Sequence, residues 1–205
     1  EAKDSNNFST TYSYDQTGRL HEVTRPDGVK TSSSLNWCNE TCPQYAKFIV
    51  SGKSDGSGWN RSFYDSEGKL LKKESPGLKG KLFNEEREYF PNGLLKRQST
   101  PHVPGAQVFW TEYQYDDLLR MKQATYPDGS FETKDYGENS SLSTNALGFK
   151  TTTNMDSSGR NRSVVNAKNE LITYDYDAVG RLTSIKDPKG NETKLSFNIL
   201  GQQIS

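Results

Sequence analysis

Seven residues, Tyr-Asp-x-x-Gly-Arg-Leu, occur twice in this chain without a mismatch, at residues 14–20 and 176–182. Near-copies read YDSEGKL at 64–70, YFPNGLL at 89–95, and YDDLLRM at 115–121, where Leu119 stands in the glycine position. Weaker copies begin at Thr144, Met155 and Phe197. A second turn signal falls midway in several units, at Pro26-Asp27-Gly28, Pro127-Asp128-Gly129 and Pro188-Lys189-Gly190. In the last third, Gly148, Gly159, Asn169, Gly180, Gly190 and Gly201 follow one another at gaps of 10 or 11 residues. Such self-similarity marks a repeat array, in which each unit buries its faces on its neighbours.

The heptad has a local physical meaning. Aspartate opening a turn accepts a hydrogen bond from the backbone two residues on, and glycine a few residues later supplies the left-handed conformation. Asp-x-x-Gly therefore predicts a type I turn with a glycine bulge, a three-residue hairpin loop. Counting outward from that loop places Tyr14 opposite Leu20 on one face and Asp15 opposite Arg19 on the other, with Gly18 in the turn. The same register gives Tyr176 with Leu182 and Asp177 with Arg181 around Gly180. It also gives Tyr64 with Leu70 and Asp65 with Lys69 around Gly68, Tyr115 with Met121, Asp116 with Arg120, and Asp156 with Arg160. In the copy at 89–95 both members of the charged pair become apolar together, as Phe90 and Leu94. These residues are expected to be structural. Strands of six or seven residues and alternation such as Tyr12/Tyr14, Tyr113/Tyr115 and Tyr174/Tyr176 predict an all-β antiparallel hairpin strip spanning 1–205 as a single array.

Composition limits the function classes. Only 31% of residues are hydrophobic, yet 11 Tyr, 9 Phe and 3 Trp supply burial that disordered chains lack. Lys plus Arg equals Asp plus Glu at 26 each, which leaves no electrostatic footprint for nucleic acid. No apolar run approaches membrane-spanning length, so no membrane insertion by this segment is expected. The chain starts and stops inside the repeat pattern, and the expectation is a piece of a larger polypeptide.

The rhythm fails at about residues 31–61, an irregular insert holding Trp37, Cys38, Cys42 and Trp59. Residues 51–58, rich in Gly and Ser, are expected to form a long hairpin tip. Cys38 and Cys42 are spaced to close a small loop; a disulfide is the favoured expectation under export, two free thiols the alternative. A metal site would need two more ligands, and the two histidines, His21 and His102, lie far apart in sequence. Both are expected as surface or loop residues. Paired carboxylates or a nucleophile–base set need a pocket that nothing here selects. The expectation is no catalytic residue, no cofactor and no metal.

The heptads, with half-units such as Asp187-Pro188-Lys189-Gly190-Asn191, closely resemble the YD repeats of RHS-repeat proteins: bacterial Rhs polymorphic toxins, the B and C components of insecticidal toxin complexes, and teneurins. The resemblance implies a curved sheet forming part of a β-spiral shell around a C-terminal toxin or other segment. It implies a secreted or cell-surface protein whose partners are the rest of its own polypeptide and the enclosed domain. Relatives carry an autoproteolytic DPxGL-type region; here Asn191 follows Gly190, and the motif reads as an ordinary turn. The rival function is a surface adhesion module binding carbohydrate or a protein receptor through exposed aromatics.

Overall fold

Asp15 shows how each heptad turn is made. Its backbone N–H donates to the Arg19 carbonyl at 2.8 Å, and the Gly18 N–H donates back to the Asp15 carbonyl at 3.0 Å. Its Oδ1 accepts from the N–H groups of Thr17 and Arg19 at 2.8 and 2.9 Å. Gly18 sits at φ +79°, where a side chain would be strained. The same bonds close the turns opened by Asp65, Asp116, Asp156 and Asp177. Asparagine substitutes at Asn145, Asn166 and Asn198, whose side-chain oxygens accept the same pair of N–H groups.

The computed structural model describes residues 1–4, 8–39, 42–56 and 58–204. They form eighteen strands and no α-helix. In order these are β1 (Ala2–Lys3), β2 (Ser9–Tyr14), β3 (Leu20–Thr24), β4 (Lys30–Trp37), β5 (Phe48–Ser54), β6 (Gly58–Tyr64), β7 (Leu70–Pro76), β8 (Leu82–Tyr89) and β9 (Leu95–Ser99). There follow β10 (Trp110–Tyr115), β11 (Met121–Thr125), β12 (Phe131–Tyr136), β13 (Ser140–Thr144), β14 (Lys150–Met155), β15 (Asn161–Val165), β16 (Leu171–Tyr176), β17 (Leu182–Lys186) and β18 (Glu192–Lys194). A short 3₁₀ turn at Leu78–Gly80 joins β7 to β8. The chain divides into two compact units, Glu1–Glu112 and Tyr113–Ser205.

Each strand from β1 to β9 pairs antiparallel with the next in sequence, as does each from β11 to β17. The register places Tyr14 opposite Leu20, Tyr64 opposite Leu70, Tyr89 opposite Leu95, and Tyr176 opposite Leu182. At each of these turns, and at Met155 opposite Asn161, the ladder shifts by a bulge at the residue before the aspartate or its equivalent. The turns at Gly129, Gly148, Asn169 and Gly190 also hold a left-handed residue but keep an unshifted ladder, so the bulge belongs to the heptad turns and not to the left-handed residue alone.

Because a meander reverses at every turn, alternate turns lie on opposite rims. In the second unit the turns opened by Asp116, Asp156, Asp177 and Asn198 share one rim. Those opened by Tyr126, Asn145, Asn166 and Asp187 share the other. The copy at Thr144 therefore belongs with the Pro-Asp-Gly turns and is not a heptad equivalent. The heptad-rim position between Asp116 and Asp156 is instead filled by Tyr136-Gly137, which sequence comparison did not single out.

The irregular stretch is more regular than its sequence. Residues 51–54 continue β5 and Gly58 begins β6, so of the expected tip Asp55 and Gly56 stand in a turn, while Ser57 lies outside the described residues. Strand pairing with Lys53 opposite Trp59 and Ser51 opposite Arg61 absorbs what looked like loop. Few side chains are buried: Phe63 and Ala124 are the buried apolar residues among those described. Buried polar residues outnumber them, and three stand in one row of the first unit, where Glu74 pairs with Asn84 and Asn84 bridges to His102.

Candidate functional site

The side chains of the heptad meet across successive hairpins. Arg160 donates from Nε to Asp156 Oδ2 at 2.7 Å, so arginine and aspartate of one turn are locked together. The guanidinium then lies over the ring of Tyr176, 4.8 Å from its centroid, and Tyr176 belongs to the next heptad on the same rim. The Tyr176 hydroxyl donates to the Asn161 carbonyl at 2.9 Å, directly after Arg160. Gly180, inside the Tyr176 heptad, leaves room for the arginine: a Cβ there would stand 2.8 Å from Arg160 Nη1. The Arg160 hairpin thus clasps the next through a cation on an aromatic face, an interaction of about 0.5–1 kcal/mol at exposed sites.

The clasp recurs. Arg120 bonds Asp116 Oδ2 at 2.8 Å and lies 4.2 Å from the Tyr136 centroid, while the Tyr136 hydroxyl donates to the Met121 carbonyl at 3.0 Å. Arg181 bonds Asp177 Oδ2 at 2.7 Å and lies 4.9 Å from the ring of Phe197. In the first unit Lys69 lies over Tyr89 at 5.8 Å, and the Tyr89 hydroxyl donates to the Leu70 carbonyl at 2.9 Å. There the ammonium meets Glu67 rather than Asp65. Arg97 grips Glu88 with two bonds, at 2.7 and 2.6 Å, and lies 4.3 Å from the Trp110 centroid. Arg19 has Leu35 sixteen residues on, where Arg120, Arg160 and Arg181 have an aromatic ring. That sixteen-residue Arg-to-aromatic spacing is the signal that would have found Tyr136 and Phe197 from sequence.

Electrostatics follows the geometry. The Arg120 guanidinium, and then the Arg120 backbone N–H, hold the Asp116 carboxyl below the usual carboxylate range. At Asp156 and Asp177 the backbone N–H of Arg160 and Arg181 is the larger cause of the same downward shift. The Thr17 hydroxyl leads at Asp15.

Cys38 and Cys42 are brought together in a disulfide with Cα atoms 5.7 Å apart, at the start of the loop from β4 to β5. The Cys38 N–H donates to the Lys47 carbonyl at 2.9 Å, closing the base of that loop. His21 is exposed, with Nδ1 2.8 Å from the Ser33 carbonyl oxygen. His102 lies outside the named strands, in the expected proline-flanked loop, but is buried at 8% exposed. Pro101 and Pro104 flank a segment that turns back to pair with Asn84 through bonds of 2.8 and 2.9 Å. That pairing carries the imidazole inward, with Nε2 3.7 Å from Glu86 Oε1. Among the described residues no group of three His, Cys, Asp or Glu side chains is placed to hold a metal ion.

Residues 156–192 match the family model described as RHS Repeat. No curated protein matches the chain. Among solved structures the chain is similar to "Crystal Structure of TcdB2-TccC3 without hypervariable C-terminal region", at 11% identity and TM-score 0.34. It is similar also to "Crystal Structure of TcdB2-TccC3-TEV", at 11% identity and TM-score 0.32. Each likeness covers 95% of this chain and 15% of the other, and at these scores it carries no argument. The family match is more telling, because its residues contain the whole Arg160–Tyr176 clasp. Residues 156–192 are thus similar to an RHS repeat, and they form one copy of a hairpin unit that recurs along both halves of the sequence.

Proposed function

We propose that the chain is a non-enzymatic wall segment, part of a shell with which a longer, secreted toxin-related polypeptide encloses and sequesters its C-terminal toxin or effector. The recurring clasp carries this reading. It commits the aspartate, arginine and tyrosine of the heptad to holding one hairpin on the next, leaving the motif a structural task. Repeat arrays gain stability from such nearest-neighbour contacts, which suits a wall extended by adding units. The partners are then the rest of the polypeptide and its enclosed domain, and the location is extracellular.

Limited proteolysis of the parent polypeptide tests this. A segment C-terminal to the repeats should resist protease in the intact protein and become cleavable when Arg120, Arg160 and Arg181 are replaced together by alanine. Equal cleavage of that segment in both proteins would overturn the reading.

A further inference from the structure

Strands β3 to β6 carry a groove of about 410 Å³ that the clasp does not use. Strand pairing sets Ser34, Ser51 and Arg61 in one row and Ser32, Lys53 and Trp59 in the next. Partners across a ladder share a face, so these six side chains stand on one side of the sheet. Trp59 is 36% exposed. The Arg61 guanidinium lies 5.1 Å from the centroid of its ring and is itself held 2.6 Å from the buried carboxylate of Glu74. Indole and guanidinium are therefore fixed by the fold. Lys53 is exposed and makes no ion pair among the described residues, and no carboxylate lines the groove.

The chemistry of this lining is specific. A partly open indole offers a flat apolar plate, serine hydroxyls both donate and accept, and an unmatched ammonium favours a carboxylate. The volume falls within the roughly 300–1,000 Å³ of small-molecule sites. A neutral sugar would use the plate and hydroxyls but not Lys53. An acidic peptide would use Lys53 but not the hydroxyl-flanked indole. We propose that the groove binds an acidic saccharide, its ring on Trp59 and its carboxylate at Lys53. This assignment does not rest on the shell reading, and either can fail without the other.

Titration of the chain with sialyllactose, a glucuronate disaccharide and lactose, followed by calorimetry and saturation-transfer NMR, tests it. At least one acidic saccharide should bind saturably and roughly tenfold or more tighter than lactose, and weaken as salt rises. Trp59→Ala and Lys53→Gln should each cost roughly tenfold, the loss of an anchoring contact. Trp37→Ala, at a residue 79% exposed and outside the groove, should bind like the native chain. Far-UV circular dichroism checks folding, and Lys53→Gln, an exposed change, carries the test if Trp59→Ala is unfolded. Equal binding of lactose, absence of saturable binding by both acidic saccharides, indifference to Lys53→Gln, or tighter binding of an oligoglutamate peptide would each overturn the assignment.

Discussion

Gly180 and Gly190 provide a matched pair for measuring the clasp. Both are left-handed, at φ +91° and +89°, so alanine at either position meets nearly the same backbone strain. That strain is about 1–2 kcal/mol for a left-handed non-glycine residue, offset by about 0.4–1 kcal/mol because alanine restricts the unfolded chain. The surroundings differ. A Cβ at Gly190 meets nothing within 4 Å, whereas one at Gly180 stands 2.8 Å from Arg160 Nη1 and must push the guanidinium off Tyr176. Gly190→Ala should therefore cost about 1 kcal/mol, and Gly180→Ala a further 0.5–1 kcal/mol or so for the lost stacking. Urea unfolding followed by far-UV circular dichroism suits the measurement, since Trp37, Trp59 and Trp110 all lie in the first unit and tryptophan emission would miss the second. In an Arg160→Ala background the extra cost of Gly180→Ala should vanish, a coupling of about 0.5–1 kcal/mol. Equal costs at the two glycines, or an extra cost at Gly180 that survives in the Arg160→Ala background, would refute the reasoning.

Other outcomes follow from the same geometry. Leu119 occupies the heptad glycine position at φ +62° and is 56% exposed, so Leu119→Gly should raise stability by about 0.5–1 kcal/mol in urea unfolding. The turn carboxylates of Asp15, Asp116, Asp156 and Asp177 have folded pKa values depressed below the unfolded value. Their contribution is thus present above the unfolded value, near about pH 4, and is lost as pH falls through the folded values. Urea midpoints should drop between about pH 4 and pH 2, and Asp177→Asn, which keeps the accepting oxygen as Asn166 does, should flatten part of that drop. Joint replacement of Cys38 and Cys42 by serine should lower the stability read by tryptophan emission by about 2 kcal/mol at most, as expected for so short a loop.

The hairpins were legible because Asp-x-x-Gly is local chemistry: turn, bulge and the Tyr14–Leu20 register all follow from seven residues. The clasp was not, because its two halves sit in different copies. Reading Arg120 or Arg160 against the aspartate of its own turn found one partner and hid the other, Tyr136 or Tyr176, across an intervening strand pair. Tyr136 was further concealed because its turn, Tyr136-Gly137, lacks the aspartate that defines the motif. Residues 51–54 misled for a different reason. Ser and Gly carry weak strand propensity, but pairing of β5 with β4 and β6 on both sides overrides it. His102 sits between prolines that signal a loop, and only the bridge to Asn84 reveals that the loop turns inward.

Proton NMR of the arginine side chains tests the clasp most directly. Ring currents from Tyr136, Tyr176 and Phe197 should shift the δ-methylene protons of Arg120, Arg160 and Arg181 upfield, with nuclear Overhauser contacts from each arginine to the aromatic ring sixteen residues on. Arginine δ protons at their unstructured positions, without contacts to those rings, would contradict the claim that the repeat holds hairpin to hairpin.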